Sequence, residues 1–69
     1  MKVLFDPETD TLSVVITEGI PVESEEPKPG IILDYDASGT LVSLEILDAS
    51  KRMPIPQSVD VEVATRNVG

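Results

Sequence analysis

Short runs rich in apolar and β-branched residues, broken by polar turn clusters, recur along this chain and predict strands. Lys2–Asp6 and Thr11–Thr17 are rich in Val, Leu, Ile, Phe and Thr, and they flank Pro7-Glu8-Thr9-Asp10. Proline presets φ for the second position of a type I turn, and the Asp6 carboxylate is placed to accept from the turn's N–H groups. The two stretches read as a first hairpin, with Phe5 in its core. The pattern breaks at Glu18–Gly19. Ile20–Glu23 reads as a short edge strand, where Pro21 is tolerated because an edge N–H faces water. Ser24–Lys28 reads as a solvated loop.

The stretch Pro29–Ser50 organises the rest. Gly30–Asp36 and Thr40–Leu47 read as two strands joined by Ala37-Ser38-Gly39, where Gly39 takes the left-handed conformation that closes a type I turn with a bulge. The implied register sets Asp36 opposite Thr40, Tyr35 opposite Leu41, Asp34 opposite Val42 and Ile32 opposite Leu44. One face then carries Ile32, Val42, Leu44 and Ile46, and the other Ile31, Leu33, Tyr35, Leu41 and Leu47. Two apolar faces need two covers. So short a chain has little to cover them with, which points to a homodimer.

Asp48–Met53 predicts a helix of one or two turns, with Asp48 as its N-cap, Lys51 and Arg52 near its C-terminus, and Pro54 and Pro56 ending it. Over Ser58–Thr65, Val59, Val61 and Val63 alternate with Asp60 and Glu62, the pattern of a half-exposed strand. The expected fold is mainly β, α+β at most. It is an antiparallel meander of two β-hairpins with one short helix and a C-terminal edge or exchanged strand. Residues 1–53 form the single small domain and 54–69 the strand extension. The expected core is Val3, Phe5, Leu12, Val14, Ile16, Ile32, Leu33, Val42, Leu44 and Ile46.

Size and composition narrow the function. The 69 residues contain neither Cys nor His, which removes disulfides, thiolate zinc sites, thiol nucleophiles and imidazole bases. A chain this size buries only about 60% of the surface it exposes when unfolded, so a shared interface is the remaining staple. Thirteen acidic residues against five basic ones give a net charge of −8, which repels nucleic acid and anionic lipid. A partner chosen by charge is therefore basic. No signal-like N-terminus and no apolar run of membrane length is present, and the expected location is cytoplasmic.

The sharpest chemical pattern runs from Asp34 to Glu45. Oxygen-bearing Asp34, Asp36 and Ser38, then Gly39, Leu41 and Glu45, match the spacing of an EF-hand calcium loop. Its flanks are strand-like, and Pro27, Pro29 and Gly30 occupy the place of the entering helix. In the expected register Glu45 also projects from the face opposite Asp34 and Asp36. A weak cation at Asp34 and Asp36 is all that survives. Acid–base pairs drawn from Asp6, Asp10, Asp34, Asp36, Glu45 and Asp48 have no pocket walls to separate their pKa values, so turn and cap roles are preferred. Ser50, beside Asp48 and Lys51, reads as a helix-start residue. Pro29-Gly30 is no phosphate loop, and one Tyr and one Phe make no stacking platform.

Phe5-Asp6-Pro7-Glu8-Thr9-Asp10-Thr11-Leu12 resembles the aromatic-D-x-E-x-D-x-L opening of a known family. Pro29-Gly30-Ile31-Ile32-Leu33-Asp34-Tyr35-Asp36, Gly39, Leu41-Val42 and Glu45-Ile46-Leu47-Asp48-Ala49-Ser50 resemble its core. The family is the small, mainly bacterial domain of unknown function numbered 2283. The resemblance spans about residues 1–53. It implies a short β-rich protein, with some members similar to the smaller partner of toxin–antitoxin-like pairs, and it carries no catalytic residues across. No catalytic, cofactor or metal residue is assigned. The leading expectation is a non-catalytic protein-interaction module, antitoxin-like toward a basic protein. A self-assembling homodimeric structural domain is the alternative, and a carboxylate- or metal-dependent enzyme comes third.

Overall fold

Turn chemistry sets the strand ends. Asp6 accepts from the Glu8 N–H at 2.9 Å, folding β1 (Lys2–Asp6) back onto β2 (Thr11–Val15) with Phe5 opposite Leu12. Asp36 Oδ1 accepts from the backbone N–H groups of Ser38 and Thr40, both at 2.9 Å, and so closes the turn between β4 (Ile31–Tyr35) and β5 (Leu41–Ile46). Gly39, at φ 84, supplies the left-handed residue there. Pro29-Gly30, with Gly30 at φ 85, joins β3 (Glu23–Lys28) to β4, the residue pair that suits a type II turn.

The computed structural model describes residues 1–66 and builds one five-stranded antiparallel sheet in the order β1-β2-β5-β4-β3, followed by the short helix α1 (Ala49–Arg52). The β2–β5 ladder joins the two hairpins, so residues 16–22 must cross the end of β5 and β4 to start β3. That crossing lies close over Val42. A Cβ on Gly19 would come within 2.9 Å of Val42 Cγ1.

The strand expected at Ile20–Glu23, followed by a loop over Ser24–Lys28, is instead a strand over Glu23–Lys28. Its fully exposed, charged residues hide it from any hydrophobic pattern, because an edge strand needs only its backbone to pair. The expected register holds at Tyr35–Leu41 and fails beyond it, since Asp34 pairs with Ser43 and Ile32 with Glu45. Val42 is the extra residue of a β-bulge, 2% exposed, and its carbonyl accepts from Ile16 N–H at 2.8 Å and Thr17 N–H at 3.3 Å. A one-residue insertion turns every later side chain to the other face.

The two faces are therefore unlike. Val3, Val14, Leu44 and Leu33 form one cross-strand row, and Phe5, Leu12, Ile46 and Ile31 form the next, making a single apolar face. The opposite face is mixed, with rows Leu4–Ser13–Glu45–Ile32 and Lys2–Val15–Ser43–Asp34–Ser24. Among the described residues, Leu12, Val42 and Ala49 are the buried apolar ones. Val3, Val14, Ile16, Ile32, Leu33, Leu44 and Ile46 are half-buried and Phe5 lies more exposed still, because a single sheet carries no second layer. Pro56–Val61 lies beside Met1, Val3, Phe5 and Leu12, lining a shallow cleft. No strand forms over Ser58–Thr65 within the chain, in contrast to the sequence pattern. The alternation specifies an extended segment, and pairing further requires an edge laid alongside. Residues 67–69 of the expected extension lie outside the described residues.

Candidate functional site

The bulge at Val42 builds the most unusual cluster in the chain. It returns Glu45 to the face that carries Asp34, correcting the expectation that the two project from opposite faces. Asp34 sits opposite Ser43 and diagonal to Glu45, near the middle of the mixed face. Only 6% exposed, it accepts from Ser24 Oγ at 2.6 Å and from Ser43 Oγ at 2.9 Å.

These contacts split the two acids. The Ser24 hydroxyl is the main influence holding the Asp34 carboxyl below the usual range. Desolvation opposes it, and Ser43 and Glu45 add further lowering. Glu45 moves the other way. Partial burial raises its proton affinity most, followed by its hydrogen bond to Asp34 and the negative charge there. Asp34 is thus held as the anion and Glu45 is the acid that retains a proton more readily. Beside them Leu4, Asp6, Thr11, Ser13 and Glu45 line a shallow depression open to solvent. Sequence reasoning missed Ser24 and Ser43, whose roles become visible only once the bulge is known.

Asp36 does not join this pair. Its Oδ1 is taken up by its own turn, accepting Ser38 Oγ at 2.8 Å in addition to the two backbone N–H groups, and the Ser38 hydroxyl leads the causes that lower its pKa. The EF-hand spacing thus brings Asp34 and Glu45 together and leaves Asp36 and Ser38 in the hairpin loop. Among the described residues no group of three or more acids is placed to hold a metal ion.

A second junction explains the motif residues. Asp48, expected as the N-cap of α1, is left-handed at φ 52 and makes no side-chain cap bond. Asp10 does that work from the first turn. Its carboxylate accepts from Ser50 N–H at 3.0 Å and Ser50 Oγ at 2.7 Å, and its carbonyl accepts from Ala49 N–H at 2.9 Å. Arg52 then donates to Leu47 O at 2.9 Å and to Pro29 O at 2.7 Å, so α1 ties the β1–β2 turn to the β3–β4 turn over the fully buried Ala49. Asp10, Pro29, Gly30, Asp48, Ala49 and Ser50 are structural parts of one clasp.

No helix among the described residues is long and apolar enough to cross a membrane. No curated protein and no solved structure matches the chain. The model of one family, described as a protein of unknown function (DUF2283), matches residues 2–50, which cover both hairpins and the first half of the α1 clasp. The chain belongs to that family.

Proposed function

We propose that this protein is a non-catalytic interaction module of the cytoplasm that docks through the mixed face of its sheet onto a basic protein. The observation that carries this reading is the Asp34–Glu45 pair. Two carboxylates stand side by side in a partly desolvated face, among Leu4, Val15, Ile32 and small hydroxyl residues, in a chain of net charge −8. The hydroxyls of Ser24 and Ser43 satisfy Asp34 while leaving the pair negative. A guanidinium or ammonium laid over the pair offsets the negative charge of Asp34 that raises the Glu45 pKa. The flanking apolar side chains exclude water from that contact. Shallow relief and the absence of imidazole and thiol groups suit a docking face better than a catalytic one.

The test is an affinity capture from native extract with the parent chain and with Glu45→Lys, washed at low and high salt and read by mass spectrometry. The expected result is a basic protein retained by the parent, released by salt, and absent from the variant. Retention of the same protein by Glu45→Lys overturns the reading.

A further inference from the structure

We infer that residues 58–65 are an exchangeable strand, completed by the free edge of β1 in a second copy of this chain. The inference stands independently of the proposed function. Two unmet requirements in the same molecule point to each other. The first is the segment itself. Val59, Val61 and Val63 alternate with Asp60 and Glu62, yet no backbone hydrogen bond among the described residues involves 54–66. Its valines are correspondingly exposed, Val63 at 86%. The second is β1, which ends the sheet with an outer edge that no strand among the described residues pairs. The far edge, β3, is guarded by Glu23, Glu25, Glu26, Pro27 and a register shift, the usual protection against added strands. The β1 edge carries charges only at its ends, Lys2 and Asp6, with no proline or register shift between them.

Side-chain chemistry fits the segment to that edge, and we take the antiparallel direction of the rest of the sheet. An antiparallel register with Val61 opposite Val3 sets Val59 opposite Phe5, Val63 opposite Met1 and Glu62 opposite Lys2. The parallel register that opposes the same six apolar residues sets Asp60, not Glu62, opposite Lys2, so charge reversals at Glu62 and Lys2 tell the two apart. Coverage selects the occupant. Within one chain the segment lies over Val3, Phe5 and Leu12. Moving it to the chain's own edge would bare those side chains with nothing to replace it. Mutual exchange between two copies brings their apolar faces together as the strands pair, forming an isologous interface.

Sedimentation equilibrium on the full chain tests the proposal. A reversible dimer of the 7.4 kDa chain is expected. Glu62→Lys, which sets like charges opposite each other twice per dimer, is expected to raise its dissociation constant roughly tenfold, and Lys2→Glu added to it restores the parent value. A monomer throughout the concentration range overturns the inference, as does a dimer indifferent to both substitutions. The chain has no native Cys. Mixing a Lys2→Cys chain with a Glu62→Cys chain under oxidation is therefore expected to give a covalent heterodimer exceeding the product of either chain alone. Absence of that excess also overturns it.

Discussion

Replacing Gly30 by alanine tests how the Pro29-Gly30 turn and α1 hold each other. Gly30 sits at φ 85, and an ideal Cβ there would lie 2.3 Å from Arg52 Nη2 and 2.9 Å from its Cζ. Two effects combine. Left-handed backbone costs an alanine about 1–2 kcal/mol. The guanidinium must also swing away, giving up its bonds to Leu47 O and Pro29 O. Arg52 is exposed, so those bonds are screened and together are worth about 1 kcal/mol. Gly30→Ala is expected to destabilise by about 2–3 kcal/mol and Arg52→Ala by about 1 kcal/mol. The double variant is expected to match Gly30→Ala, because the bonds can be lost only once, which leaves a coupling of about 1 kcal/mol. For a domain this small, about 1 kcal/mol moves Tm by about 4–8 °C, so urea or thermal unfolding of the four proteins resolves it. Strict additivity would refute the clasp between Arg52 and the turn, and a Gly30→Ala variant as stable as the parent would refute the whole argument.

Asp10→Ala removes the side-chain cap that Asp10 gives α1 and is expected to cost about 0.5–2 kcal/mol in urea unfolding. Ser50→Ala made in that background should then add little; a full second loss would separate the two residues. Glu45 and Asp34 predict opposite pH limbs. The folded Glu45 pKa lies above the ordinary 4.5 of a glutamate, so its contribution to stability is complete below that value and lost as pH rises through the folded pKa. The folded Asp34 pKa lies below 3.8, so its contribution is present above that value and lost as pH falls through the folded pKa. Glu45→Gln is expected to abolish the upper limb and leave the protein about 0.2–1 kcal/mol more stable than the parent at neutral pH. Denaturation series at several pH values check it, and a parent that does not lose stability relative to the variant between weakly acid and neutral pH contradicts the assignment.

Much of the architecture was legible in the chain because local chemistry wrote it. Runs rich in Val, Leu, Ile, Phe and Thr marked β1, β2, β4 and β5. Asp6, Pro7, Asp36 and Gly39 marked their turns, and Pro54 marked the end of the helix. Those are interactions between residues a few positions apart, and a single sequence displays them directly. The family motif was legible as a spacing too, although its meaning was not, since Asp10 acts on Ser50 from 40 positions away.

What escaped the sequence depended on pairing. β3 has no apolar pattern, and it becomes a strand only because β4 offers it a backbone edge. Val42 carries no mark of a bulge. Its extra place in the ladder follows from the crossing of residues 16–22 and from the two N–H groups that meet its carbonyl. That one residue reverses the faces of Ser43 through Ile46, converting two imagined apolar faces into one apolar and one mixed face, and setting Glu45 beside Asp34. Composition alone determined that these 69 residues are acidic and carry no thiol or imidazole group. Only the tertiary structure decided which carboxylates share a face, because register is a property of two strands together and neither strand states it by itself.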